Sequence, residues 1–221
     1  MISSETLQFL TDLKANNHKA WFDEHKAVYQ DARSNFLQVV QELIDGISQF
    51  DASVASSGLE AKKCIMRINR DIRFSKDKSP YKTNFFAFIN REGKKSPFAG
   101  YYFSVEPGES FYGGGIYMPE SPILSKIRQE IDYNLDEWQN IVSGTAFKKT
   151  YGTVKPSGKL TRPPRGYSDD NPAIDWIKYK GYYTQKMMPA QELHNEDLVK
   201  NILPGFKALN PMIDFINRSI E

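Results

Sequence analysis

The order of hydrophobic periods along the chain predicts an α+β fold, an antiparallel β meander of about four or more strands packed with N-terminal and C-terminal helices. Three observations predict it. Residues 3–50 place apolar side chains at helical spacing, residues 63–118 switch to a period of two rich in β-branched and aromatic residues, and residues 121–221 return to helical spacing broken by prolines. The 221 residues suit one domain with an ordinary core.

In chain order, Leu7, Leu10 and Leu13 form the stripe of a first helix behind Ser3 and Ser4, either of which can cap it. Asn16 and Asn17 interrupt, because short amides favour caps and turns. A longer helix is expected from His18 to Phe50 along Trp21, Phe22, Val28, Ala32, Phe36, Val39, Val40, Leu43 and Ile47. Ser48 to Gly58 reads as a polar connection. The expected strands are Lys63–Phe74, Asn84–Asn90, Gly100–Glu106 and Ser110–Met118, the last two joined at Pro107, Gly108 and Glu109. Helices are expected again over Pro122–Tyr133, Leu135–Val142 and Pro172–Tyr179, the last started by Asn171, and over Asp197–Arg218, where Pro204 and Pro211 should break or begin turns.

Composition narrows the class. Hydrophobic residues are 40% and charged residues 25%, with no apolar run near the roughly 20 residues of a membrane helix. Met1 to Leu10 is polar and acidic where a secretory leader is basic and then apolar. A cytoplasmic protein with no membrane partner is the expectation. The one cysteine, Cys64, lies among Ile65, Met66 and Ile68 and reads as an inert buried thiol.

Charge is unevenly spread. The net charge is +2, yet Lys62–Lys95 holds eleven Lys or Arg against three acidic residues, and Gly144–Tyr167 holds six against none. These stretches can attract phosphates or nucleic acid if they meet in space, or be neutralised by acidic helices. The first contains Arg67, Arg70, Arg73, Lys76, Lys78 and Lys82, answered only by Asp71 and Asp77. On an extended strand Arg67, Asn69, Asp71 and Arg73 share one face, while Cys64, Met66, Ile68, Ile72 and Phe74 share the other, with Arg70. A guanidinium on an apolar face must snorkel, be paired, or sit at a bulge.

Arginine forks and lysine point charges suit a phosphate or carboxylate, Tyr81 adds a hydroxyl or stacking face, and Pro80 stiffens the loop. The candidate ligand-binding residues are therefore Arg67, Arg70, Asp71, Arg73, Lys78, Tyr81 and Lys82. A structural ion-pair network around Asp71 and Asp77 accounts for the same letters.

Arg67 to Lys82 resembles the signature of the family catalogued as domain of unknown function 2461. Further matches are Asn16 to Phe22, Gly100-Tyr101-Tyr102 with Glu106-Pro107-Gly108, Gly113 to Tyr117, and Arg162 to Gly166. The resemblance covers nearly the whole chain and implies a cytoplasmic single-domain protein. It carries over no catalytic residue and no cofactor.

Other motifs are weaker. Gly113-Gly114-Gly115 lacks the Gly-Lys-Ser/Thr of a phosphate loop and marks a bulge or close backbone approach. His18, His25 and His194 have no partner at metal-ligand spacing and read as surface or capping residues. The aromatic hairpin Tyr101, Tyr102, Phe103, Phe111, Tyr112 and Tyr117 reads as core, with base stacking on one face as the alternative. Two functional classes follow. One is binding of a phosphorylated small molecule or nucleic acid. The other is an enzyme using Asp71 as general acid or base, with Arg67 and Arg73 stabilising developing charge, and beside both stands the reading of an interaction scaffold whose basic patch meets an acidic protein.

Overall fold

The computed structural model describes residues 1–221. They form eleven helices and one five-stranded antiparallel sheet, an α+β arrangement. The chain gathers into two compact units. Unit 1 holds Met1–Lys94, Tyr102–Tyr112 and Met187–Leu203; unit 2 holds Lys95–Tyr101, Gly113–Lys186 and Pro204–Glu221.

Helix α1 (Ser4–Ala15) begins where Ser3 Oγ accepts from the Thr6 amide and ends where the Asn16 amide bonds the Asp12 carbonyl. It buries Phe9, Leu10 and Leu13. The single helix expected over His18–Phe50 is two, α2 (Lys19–Glu24) and α3 (Lys26–Ile47). The break is His25, whose ring bonds the Trp21 carbonyl at 2.8 Å and stacks on the Trp21 indole with centroids 4.0 Å apart. His18 caps α2 by accepting from the Trp21 amide. Ser48–Gly58 is not wholly irregular, because Asp51 caps a single turn, α4 (Ala52–Ala55), by accepting from the Ser53 and Val54 amides.

The expected strand Lys63–Phe74 does not form a ladder. Its start is the turn α5 (Ala61–Cys64), and beyond it only two bridges form, Ile65 with Ala87 and Asn69 with Tyr81. The sheet proper is β1 (Phe85–Ile89), β2 (Gly100–Val105), β3 (Phe111–Ile116), β4 (Lys155–Pro156) and β5 (Tyr182–Met187), in the order β1-β2-β3-β5-β4. The first three are the expected meander. The last two were not read from the sequence; β4 pairs with β5 through Lys155 with Tyr183 and Pro156 with Tyr182. In unit 1, Phe36 of α3 stacks on Phe85 at 5.3 Å and on Phe103 at 5.7 Å, joining helix to sheet. Burial of such rings contributes about 1.5–3 kcal/mol each.

In unit 2, Gly113 and Gly114 are required by close approach. A Cβ on Gly113 would lie 2.1 Å from the Thr184 carbonyl oxygen, and one on Gly114 2.5 Å from that of Gly100. Helices α6 (Ser121–Tyr133), α7 (Leu135–Ser143) and α8 (Thr145–Tyr151) follow. Trp138 of α7 is fully buried against Tyr182 and Phe215. The helix expected over Pro172–Tyr179 is one turn, α9 (Ile174–Ile177), although Asn171 does accept from the Ala173 amide.

After α10 (Ala190–Leu193), helix α11 (Leu198–Ile220) includes Pro204 and Pro211, which do not end it. Both prolines are exposed, as are Lys200 and Lys207, whose carbonyls lose their helical donors and can bond water instead. The opposite stripe, including Ile202, Phe206, Leu209, Met212, Ile213 and Ile216, is buried and outweighs the lost bonds. No helix is long and apolar enough to cross a membrane.

Candidate functional site

The site lies entirely in unit 1 and starts from a register slip. Ile65 faces Ala87 and Asn69 faces Tyr81, so four steps on one segment meet six on the other. Two extra residues must bulge between Tyr81 and Phe85, and a bulge re-aims side chains away from the ladder. Lys82, Thr83 and Asn84 occupy this stretch. It is fixed at both edges: the Lys82 amide donates to the Ile68 carbonyl at 2.8 Å, and the Arg70 amide to the Pro80 carbonyl at 2.9 Å.

The end of α1 closes one side. Asn17 acts as a backbone mimic, donating from Nδ2 to the Tyr81 carbonyl and accepting at Oδ1 from the Tyr81 amide, both at 3.0 Å. Tyr81 itself is buried and stacks on Phe22 with ring centroids 4.0 Å apart. Thr83 Oγ1 donates to Glu106 at 2.6 Å, and Asn84 Nδ2 to Ser104 Oγ at 3.1 Å. These contacts leave an open hollow of about 370 Å³ lined by Lys14, Asn17, Arg70, Asp77, Ser79, Tyr81, Lys82, Thr83 and Asn84.

Its charges are unequal. Arg70 is ion-paired with Asp77, whose other oxygen accepts from the Ser79 amide at 2.9 Å and hydroxyl at 2.6 Å. The Ser79 hydroxyl, then Arg70, hold the Asp77 carboxyl well below the usual carboxylate range. Lys82 has no such partner. Its ammonium is half-buried, and burial first, then the like charge of Arg67, pull its pKa below the ordinary lysine value. Lys14, at the end of α1, is exposed and also unpaired.

Of the seven residues singled out by sequence, Arg70, Tyr81 and Lys82 line the hollow and Arg67 lies within electrostatic reach of Lys82. The others do not join them there. Arg73 binds Asp71 through Nε at 2.9 Å and Nη2 at 2.6 Å, which holds the exposed Asp71 carboxyl below its usual range. Lys78 donates to the Ile72 carbonyl at 3.0 Å. Phe74, placed by strand alternation on the apolar face, is 96% exposed because the ladder has already ended. Lys14, Asn17, Asp77, Ser79, Thr83 and Asn84 were missed as lining residues. The Asn16-Asn17 pair signalled a turn, but nothing local said that its amide would grip Tyr81.

The chain belongs to the family described as conserved hypothetical protein, DUF2461, which it matches over residues 5–215. No curated protein and no solved structure matches it.

Proposed function

We propose that the hollow of unit 1 binds a phosphorylated small molecule, with Lys82, Arg70 and Lys14 as its cationic contacts and Arg67 reinforcing the field. The observation that carries this reading is Lys82. A half-buried ammonium with no carboxylate beside it, and a guanidinium of the same sign nearby, costs stability unless a ligand supplies the missing charge. Arg70 adds a planar fork suited to phosphate oxygens, and Ser79 lies beside it. A hollow of about 370 Å³ is of small-ligand size. Asp71 favours catalysis less, since its carboxylate is exposed and engaged by Arg73.

Calorimetric titration with inorganic phosphate, pyrophosphate and triphosphate tests the proposal. Saturable binding of about one equivalent is expected, weakened about tenfold or more by Lys82→Ala, in line with loss of a charge-assisted contact. Binding that is absent, or equal in wild type and Lys82→Ala, would end it. An affinity that grows steeply with oligonucleotide length, and falls steeply with salt, would favour nucleic acid instead.

A further inference from the structure

We propose that the ligand of this hollow is a nucleotide whose base stacks on Phe74, an inference that rests on the anion-site reading above. Phe74 is the most exposed large apolar side chain of the protein, at 96%. It belongs to an irregular arm, residues 71–79, whose Asp77 and Ser79 line the hollow. Internal bonds brace this arm. Asp71 accepts from the Arg73 amide and side chain, the Ser75 amide reaches the Ile72 carbonyl, and the Lys78 ammonium closes onto the same carbonyl. An apolar ring presented to water on a braced support is positioned for a partner with a flat apolar face.

Arg70 links the two halves of the proposed site. Its guanidinium lines the hollow, pairs with Asp77, and reaches Ser75 Oγ at 3.5 Å. Ser75 adjoins Phe74, and neighbouring Cα atoms are about 3.8 Å apart. Chain connectivity therefore keeps the ring within roughly 15 Å of the Arg70 fork, a span within reach of a nucleoside triphosphate between its base and its terminal phosphate. The Arg73 guanidinium lies 5.8 Å from the Phe74 centroid and can extend the stack.

A nucleic-acid strand suits this arm less well. Arg73 is paired with Asp71, which leaves only Lys76 and Lys78 of residues 71–79 as cations without a carboxylate partner, and Lys78 already donates to the Ile72 carbonyl. One ring serves one base, and a row of phosphates needs a row of cations.

The test compares inorganic triphosphate with ATP, GTP, CTP and UTP by calorimetry on wild type, Phe74→Ala and Phe74→Trp. At least one nucleotide is expected to bind wild type fivefold or more tighter than inorganic triphosphate, as a single stacked base gives. Phe74→Ala should erase that advantage while leaving inorganic triphosphate unchanged. Phe74→Trp should keep it, with quenched indole fluorescence on binding. If inorganic triphosphate binds as tightly as every nucleotide, or Phe74→Ala weakens both alike, base stacking is overturned while the anion site stands. If neither class binds, both proposals fall. A ten-nucleotide single strand that binds where no mononucleotide does would also overturn it.

Discussion

At Lys82, a single ammonium is held at a cost that the free protein does not recover. The sign of its titration follows from burial. Because the folded-state pKa lies below the ordinary value of 10.5, the unfolded chain holds more protons between the two values, and stability rises as pH climbs through that window. The penalty is fully present at neutral pH. Lys82→Met should therefore raise the urea midpoint at pH 7, a gain that shrinks near pH 10.5. Urea unfolding at the two pH values checks this, and a variant less stable than wild type at pH 7 would contradict it. Cys64 is the simpler case. Fully enclosed, its thiol is pushed up to about 12 by burial, so it should resist a disulfide reagent at pH 8 in native protein and react at once in denaturant. Both residues were visible in the sequence, Cys64 through its apolar neighbours and Lys82 through its basic ones. What the letters did not reveal was which arginines would be consumed nearby. Arg73 and Asp71 are two residues apart and pair locally, whereas the partner of Arg70 is seven residues on, across a loop whose path depends on Pro80 and Tyr81.

At the level of elements, the β1–β3 meander and the capped helix α1 were legible because local pattern and final packing agree there. The departures have physical causes. His25 ends α2 by stacking on Trp21, a contact that helical periodicity does not register. Pro204 and Pro211 argue locally for a break, yet the buried stripe of α11 wins because both rings face water. β4 is two residues long, too short for alternation to show. The glycines of β3 behaved as the sequence suggested, as points of close approach. Gly113→Ala places a methyl 2.1 Å from the Thr184 carbonyl oxygen, and neither backbone can yield without parting β3 from β5. It should cost about 3 kcal/mol or prevent folding. Circular dichroism and thermal melting of the variant measure this, and a melting temperature equal to wild type would refute it.

For the whole molecule, a net charge of +2 hides a strong local imbalance, and the ligand should report on it. A phosphorylated compound at a hundred times its dissociation constant adds about 2.7 kcal/mol, enough to raise the melting temperature by about 5–10 °C in a chain of this size. Differential scanning fluorimetry with inorganic triphosphate should show that shift in wild type and lose most of it in Lys82→Ala. The two units also constrain how the protein can be dissected. Each is assembled from three separate stretches, and the chain passes between them five times, once in the loop at Lys94 and Lys95 and four times inside β2, β3, β5 and α11, between Tyr101 and Tyr102, Tyr112 and Gly113, Lys186 and Met187, and Leu203 and Pro204. No single cut releases either half with its own complement of secondary structure. A fragment ending at Lys94 would retain the hollow's lining yet lack Ser104 and Glu106, the anchors of Asn84 and Thr83. Proteolytic trimming is thus a poor route to an isolated binding module, and ligand studies belong on the intact polypeptide.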